Sequence, residues 1–284
     1  MSADPARIET ATSPWEARHV RAEELCDRHA FAREVLTLYL ALLPVQEEAW
    51  RAVRESAPAP LPQWAGTRVL PAVVEATVAA GPAALAAAVR ERVAAGEAET
   101  AFSRWLAGDE LDPVDAYLAR ASLAPALEAL GEQAGAACAA AEADRGALCP
   151  CCGGRPQLSI AADSGDELVT GRRDLLCVRC SSRWDHTRSV CPACGESDED
   201  RLLVYAEQWS GPVVHQRNGD GVPPAVFPNL RIVGCKNCRT YLIEIDMARD
   251  ARAVPEVDEL AALPLDLYAA DQGLTKVTPN LMGF

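Results

Sequence analysis

The chain has 284 residues, of which 49% are hydrophobic and 24% charged, a balance typical of globular proteins with about two domains. Its formal net charge of −14 disfavours general binding to nucleic acid, because an acidic surface repels the phosphate backbone. No stretch has the ~20 consecutive apolar residues of a membrane helix, and residues 1–15 mix charged residues with serine and threonine. We therefore expect no secretory signal, no membrane insertion and a cytoplasmic location.

Residues 1–147 are predicted to form a helical domain. Apolar residues recur at spacings of three and four in residues 31–42 and 69–78, which places them on one helix face. Alanine-rich stretches favour helix, whereas the prolines of residues 57–62 interrupt it. Asp112, followed directly by proline, is a suitable N-cap. We expect roughly five to seven helices packed as an irregular bundle.

The character of the sequence changes at Leu148, where alanine-rich helix gives way to cysteine, glycine, proline and short β-prone runs. These runs predict strands at residues 158–160, 175–176, 202–205, 230–233 and 241–243. Large apolar residues are few here, so we expect no deep core and stabilisation by metal instead. We divide the region into a first four-cysteine unit at 148–190 and a second at 191–250.

The tail, residues 251–284, is predicted to contain a C-terminal helix. It is amphipathic, with Leu260, Leu263, Leu267 and Ala270 on one face. The fold class predicted from all these elements is α+β. It consists of an irregular N-terminal helical bundle, two small zinc-ribbon knuckle units and the C-terminal helix.

Nine of the eleven cysteines lie between Cys149 and Cys238. In a reducing compartment disulfides are rare, so clustered cysteines indicate metal ligation or redox chemistry. Eight of them form four C-x-x-C pairs, a spacing that lets one tight turn present two thiolates to one cation. A glycine follows the first and the third pair, where it tolerates left-handed backbone. The predicted metal ligands are Cys149, Cys152, Cys177, Cys180, Cys191, Cys194, Cys235 and Cys238.

Sequential pairing joins the first two C-x-x-C pairs into one site and the last two into another, across 24 and 40 intervening residues. We favour this scheme because each half then holds a complete ribbon-like unit. The alternative joins the two middle pairs across 10 residues and leaves the outer pairs to each other. Four thiolates in a tetrahedral array suit zinc or a single iron ion, and spacing does not separate the two. Because no ligand position is open, we expect two closed sites in a protein that is not an enzyme.

The other candidate residues favour structural interpretations. Cys26 and Cys138 lie in helical segments and are expected in the core, while Cys151 is either a spectator or an alternative ligand. His186 and His215 lie in the metal region but are not expected to ligate. Five arginines near the second and third pairs either offset the charge of a four-thiolate centre or serve solubility, namely Arg172, Arg173, Arg179, Arg183 and Arg188. The sequence offers no Ser/His/Asp set and no thioredoxin-like context for its C-x-x-C motifs.

Three stretches make the sequence resemble a known family, the formate dehydrogenase accessory protein FdhE. They are CPCCGGRP at 149–156, GRRDLLCVRC through CPACG at 171–195, and a tail with VDELAALPLDL and the ending PNLMGF. The resemblance covers most of residues 149–284. It implies a cytoplasmic maturation factor with a helical domain and two rubredoxin-like units, which contacts the catalytic subunit of a respiratory formate dehydrogenase. It also implies that the eight paired cysteines hold two metal ions, iron or zinc, with a redox contribution proposed for the family.

Two features depart from the family pattern. The interval between Cys194 and Cys235 is long, with an NGDG segment and a proline pair that indicate a surface loop, and Arg239 rather than glycine follows the last cysteine. Three hypotheses follow: an assembly accessory protein, a zinc-ribbon module that binds another protein or nucleic acid, and a thiol or iron redox protein. The acidic charge argues against nucleic acid, and the tail favours the first hypothesis.

Overall fold

The computed structural model of the chain describes residues 14–138, 147–161, 173–207 and 225–283. Within these ranges the fold is α+β, as predicted, with helices first and then a sheet region that carries both groups of four cysteines. None of the helices in these ranges is both long and apolar enough to cross a membrane. The predictions for Arg172, His215 and the loop at 218–224 lie outside the described residues.

The described N-terminal part contains seven α-helices, within the predicted number. They are α1 (Pro14–Arg28), α2 (Arg33–Glu55), α3 (Leu61–Arg68), α4 (Leu70–Ala80), α5 (Ala83–Ala94), α6 (Ala98–Ala107) and α7 (Pro113–Leu130), with 3-10 turns at Ala30–Ala32 and Gly131–Ala137. Helix α2 packs against α1, α4 and α7 and buries Leu36, Leu38 and Leu42 completely. Asp112 caps α7 as predicted, because its carboxylate accepts the N–H of Val114. Phe31 does not share the α2 face and is half exposed, since it lies in the preceding 3-10 turn.

In the described part of the chain, seven strands form one mixed sheet. They are β1 (Pro156–Ala161), β2 (Arg173–Cys177), β3 (Arg183–Asp185), β4 (Leu202–Ala206), β5 (Leu230–Cys235), β6 (Thr240–Asp246) and β7 (Thr275–Lys276). The order is β3-β2-β1-β6-β5-β4, with β7 also paired to β6. Each cysteine unit contributes an antiparallel part, and the parallel pairing of β1 with β6 joins them. The two predicted units therefore share a sheet that runs across residue 190, and the boundaries at 147/148, 190/191 and 250/251 remain our proposal.

The expectation that the sheet region has no deep core is wrong. Leu158, Ile232, Leu242 and Ile243 are at most 1% exposed, and their buried set is continuous with that of the helices. The second layer of this core comes from helices. Two of them, α8 (Pro255–Ala261) and α9 (Leu263–Asp271), contact β1 and β5, and α1 and α2 pack against α8. Composition within residues 148–250 could not reveal that layer, because a sheet face can bury against elements distant in sequence.

The tail forms two short helices, α8 (Pro255–Ala261) and α9 (Leu263–Asp271), rather than one. Helix α8 ends before Ala262, and α9 starts directly after it with a different orientation. The apolar residues of the two helices therefore do not form one continuous face. Leu260 is buried as predicted, but Leu267 is 65% exposed and Ala270 is exposed as well. The single predicted face was therefore wrong for its last two members.

Buried ion pairs connect the tail to the rest of the fold. Arg21 of α1, only 3% exposed, donates to both carboxylate oxygens of Asp258. The ammonium of Lys276 lies 2.8 Å from a carboxylate oxygen of Glu259 and 3.0 Å from one of Asp266. Tyr241 also donates its hydroxyl to Asp266 at 2.8 Å. Charges this deeply buried are tolerated only when paired, so the acidic residues of the VDEL segment fix the tail against α1 and the sheet.

Candidate metal centres

All four C-x-x-C motifs fold as the same kind of turn. The residue after the second cysteine has a left-handed backbone in each, with φ of 69° at Gly153, 54° at Ser181, 75° at Gly195 and 59° at Arg239. In three of the turns this residue donates its N–H to the carbonyl of the first cysteine, at 2.9 to 3.0 Å. The glycines after the first and third pairs thus lie where a missing Cβ removes strain. The other two turns hold the same conformation with a serine and an arginine.

The first centre, defined as Cys149, Cys152, Cys177 and Cys180, lies between the turn that precedes β1 and the turn that follows β2. All four residues are at most 3% exposed. The Cys149 and Cys180 sulfurs are 3.6 Å apart, and those of Cys152 and Cys177 are 3.4 Å apart. Gly154 leaves no room for a side chain here, because a Cβ would lie 2.7 Å from the Cys177 sulfur.

The second centre, defined as Cys191, Cys194, Cys235 and Cys238, lies between the turn after β3 and the turn that joins β5 to β6. The Cys191 and Cys238 sulfurs are 3.7 Å apart, and those of Cys194 and Cys235 are 3.8 Å apart. Cys191 and Cys235 are buried, Cys238 is half-buried and Cys194 is exposed. Solvent therefore reaches this centre more readily than the first.

Within each centre the four sulfurs lie within 4.8 Å of one another, grouped as sequential pairing predicts. A tetrahedral ion with metal–sulfur bonds of about 2.3 Å requires sulfur–sulfur separations of about 3.8 Å. The separations of 3.4 to 3.8 Å approach that value and are far from a disulfide bond of about 2.0 Å. The donor sets fit two closed four-thiolate sites for zinc or a single iron ion.

Packing four thiols together favours the protonated form of most of them unless a cation is present. One thiol in each centre is the exception, because hydrogen bonding with Cys149 lowers the pKa of Cys180 and, against the effect of burial, hydrogen bonding with Thr240 lowers that of Cys238. Burial raises the pKa of the Cys191 thiol to about 12, and hydrogen bonding with Cys138 raises that of Cys152 to about 12. A divalent cation would displace these protons, since thiolate is the ligand form. Metal affinity is therefore linked to pH, and the ion would hold the two turns of each centre together.

Arg179, in the second cysteine turn, connects the first centre to helix α6 of the helical domain. This residue is 8% exposed, its guanidinium donates to the carbonyl of Trp105 at 2.8 Å, and its N–H donates to the Cys177 sulfur at 3.3 Å. Arg179 therefore supports the turn rather than only solubility. Arg173 and Arg188 contact Glu244 instead, whereas Arg183 is exposed.

The remaining cysteines and His186 lie outside both groups of sulfurs. The His186 ring is 3.2 Å from the carbonyl of Val190, and Cys26 and Cys151 are half-buried. Cys138 is buried as expected, but interaction with the Cys152 thiol also lowers the pKa of its own thiol. The sequence contained no signal for that contact, because Cys138 belongs to no C-x-x-C motif and follows a helical segment.

Arg239, the departure from glycine, contacts the tail. Its guanidinium donates to the carbonyls of Gln272 at 2.9 Å and Gly273 at 3.0 Å, at the end of α9. A Cβ at Gly273, whose φ is 69°, would press on the end of the Arg239 side chain. The left-handed arginine thus couples the last cysteine turn to α9.

Comparison with known proteins agrees with this geometry. The FdhE central-domain model matches residues 148–188, and the FdhE C-terminal-domain model matches residues 225–282. A protein FdhE homolog of Aquifex aeolicus is 32% identical over 136 residues, which are 48% of this chain and 41% of that protein. A protein FdhE homolog of Pseudomonas aeruginosa is 32% identical over 144 residues, which are 51% of this chain and 42% of that protein. The matched part thus spans about two fifths of the length of these curated relatives.

A solved structure extends the similarity beyond the sheet region. The crystal structure of the FdhE protein from Pseudomonas aeruginosa superposes with a TM-score of 0.66 at 25% identity, covering 96% of both chains. The sequence of the helical part resembles the family only in its length and helical character. The superposition shows that this part also has a fold similar to that of the solved structure. Residues 148–188 and 225–282 thus match the central and C-terminal domains of FdhE, and the fold over almost the whole chain is similar to that of an FdhE protein.

Proposed function

We propose that this chain is a cytoplasmic accessory protein that assists the assembly of a respiratory formate dehydrogenase and binds its catalytic subunit during maturation. The observation that carries the proposal is the family relationship of both cysteine-bearing domains, together with a fold similar over almost the whole chain. Its two centres would each hold one ion, iron or zinc, in a closed site.

The geometry supports a structural role for the centres. In each, the four sulfurs lie close enough to complete the coordination of one tetrahedral ion, which would leave no position for a substrate or water ligand. The first centre is also covered by the helical domain through Arg179 and Trp105. Loss of its ion would therefore disturb the junction between helices and sheet, and with it any surface that spans them.

A deletion and complementation experiment tests the proposed function. In cells that lack the gene, we expect formate dehydrogenase activity to fall and to return with the wild-type chain. A Cys149→Ser variant should restore it poorly, whereas Cys26→Ser should restore it fully, because Cys26 is a half-buried cysteine outside both centres. Affinity-tagged wild-type protein should also retain the catalytic subunit. Unchanged formate dehydrogenase activity after the deletion would refute the proposal.

The redox hypothesis has specific support in the donor set, since four thiolates also suit a single iron ion that changes oxidation state. Anaerobic purification followed by an absorption spectrum separates the two roles. Ferric thiolate bands that bleach reversibly on reduction would favour a redox function. Two colourless zinc ions per chain would favour the structural one.

A further inference from the structure

The two centres differ in how well the fold covers their cysteines. In the first centre all four residues are at most 3% exposed. In the second centre Cys191 and Cys235 are buried and Cys238 is half-buried, but Cys194 is exposed. A small solute can therefore approach one ligand of the second centre from solvent. This matters chemically because a cysteine that ligates a metal is a thiolate, which is the nucleophilic form of the side chain.

Hydrogen bonds further distinguish Cys194 from its neighbours in the second centre. The Cys191 sulfur accepts two backbone N–H groups, and the Cys238 sulfur lies 3.0 Å from the hydroxyl of Thr240. The Cys194 sulfur accepts the side-chain amide of the exposed Asn237 at a long distance of 3.7 Å. Hydrogen bonds stabilise the charge on a thiolate and so reduce its reactivity. Exposure and weak hydrogen bonding thus both favour reaction at Cys194.

A second sulfur lies ready to form a disulfide with Cys194. The sulfur of Cys235 is 3.8 Å away, on the opposite cysteine turn. Since a disulfide bond is about 2.0 Å long, the two sulfurs need to approach each other by only about 2 Å. The turn that carries Cys194 has room for such a movement, because Ala193 and Gly195 beside it are exposed and a Cβ on Gly195 would meet no atom within 4 Å.

We propose that Cys194 is a modification site, at which a peroxide oxidises the second centre, and that Cys235 completes a disulfide bond that releases the ion. The buried sulfurs of the first centre stay reduced under the same conditions. This inference rests on the metal occupancy included in the proposed function. It goes beyond that function, because it assigns a reaction to one centre and a separate role to each of two cysteines.

The reaction balances with hydrogen peroxide as the oxidant. The Cys194 thiolate attacks one peroxide oxygen, the O–O bond breaks, hydroxide leaves and the sulfur becomes a sulfenic acid. The Cys235 thiolate then attacks this sulfur, so the S–S bond forms, the S–O bond breaks and a second hydroxide leaves. Two protons from solvent convert the hydroxides to water. Two thiolates have lost two electrons and the peroxide has gained them. Cys191 and Cys238 alone supply only two of the four ligands of a tetrahedral ion, which therefore dissociates.

The experiment uses the full-length chain loaded with zinc, a metal indicator and a small excess of hydrogen peroxide. Zinc content is measured before the oxidant is added and should be two ions per chain. We expect peroxide to release one of them, and mass spectrometry of proteolytic fragments to find a disulfide between Cys194 and Cys235. A dithiol reductant should break that bond and restore binding of the released ion. The second ion should remain on the protein throughout.

Two histidine variants separate the reactive ligand from the other three. Histidine is also a zinc ligand, so Cys194→His is expected to keep its ion while lacking the exposed sulfur. Release by peroxide should then be at least about tenfold slower than in wild type. The matched control is Cys238→His, which changes a half-buried ligand and keeps both cysteines of the proposed disulfide. Its release rate should stay within about twofold of wild type. If either variant fails to bind zinc, the position of the disulfide in wild type decides the matter.

The outcomes distinguish this proposal from the metal centres on which it rests. A chain that takes up no zinc before peroxide is added would overturn the metal centres and the proposal together. Two bound ions that peroxide does not release would overturn the proposal alone. So would release with a disulfide that excludes Cys194 or joins it to a cysteine other than Cys235, or equally fast release from the two histidine variants.

Discussion

Gly154→Ala should weaken metal binding in the first centre while leaving the second intact. The glycine lies directly after the first cysteine turn, and a Cβ there would be 2.7 Å from the Cys177 sulfur and 3.2 Å from that of Cys152. Ordinary contact needs about 3.5 to 4.0 Å. The Cys177 sulfur would therefore have to move by roughly 1 Å, whereas metal–ligand distances tolerate changes of about 0.2 Å.

The loss in affinity can be estimated from this displacement. Disturbing only the surroundings of a ligand typically weakens metal binding by about 10- to 100-fold. Here a ligand itself is displaced, so we expect a decrease of at least about 100-fold, which corresponds to about 2.7 kcal/mol. Because binding energy at such sites is also folding energy, the metal-loaded variant should unfold at lower denaturant concentration by a similar free energy.

The assay is metal analysis of the purified protein combined with a chelator competition. At a chelator concentration that leaves wild type with two ions per chain, Gly154→Ala should retain one. The control is Gly66→Ala on α3, where the nearest atom to a Cβ is Cγ of the flexible Glu99 side chain at 3.1 Å. That variant should keep both ions. Retention of two ions by Gly154→Ala, with wild-type resistance to chelator, would refute the assigned geometry of the first centre.

Three further predictions follow from the contacts described. A chelator should remove the ion of the second centre first, because that centre is partly exposed. Metal release should therefore show a fast phase from the second centre and a slow phase from the first. Cys191→Ser should abolish the fast phase, and loss of the slow phase instead would contradict this order. Arg239→Gly should lower the free energy of unfolding by about 1 kcal/mol less than Arg239→Ala does. Both variants lose the contacts to α9, but only glycine adopts the left-handed backbone without strain. Equal losses in denaturant unfolding would show that the backbone at this position is not strained. Lys276→Met should reduce the free energy of unfolding by about 3 to 5 kcal/mol, since it leaves Glu259 buried without the ammonium group of its ion pair. Adding Glu259→Gln should recover part of that loss. A loss below about 1 kcal/mol would contradict the buried pairing.

The sequence was most informative where structure is local. A C-x-x-C motif determines its own turn, so the pairing of cysteines within each motif and the glycines at Gly153 and Gly195 followed from spacing. The same holds for the cap at Asp112 and for the five predicted strands. Each of these depends on neighbours within a few residues, where residue type and backbone conformation are directly coupled.

What the sequence did not reveal depends on distant contacts. Ser159 and Glu244, 85 positions apart, meet where β1 joins β6, and no local pattern indicates that pairing. The strands β3 and β7 are too short to show an alternation of apolar and polar residues. The break between α8 and α9 changes which side of the tail is buried, so the single-helix prediction wrongly placed Leu267 on the buried face. The positive φ of Arg239 is intelligible only with the end of α9 beside it.

We propose that the eight cysteines form two closed four-thiolate metal centres. The most direct measurement is metal content and X-ray absorption of the chain purified without oxygen. We predict two ions per chain, each with four sulfur ligands at about 2.3 Å and no lighter ligand in the first shell. Native protein with fewer than one ion and eight thiols free to react would contradict the claim, as would a spectrum that requires nitrogen or oxygen ligands.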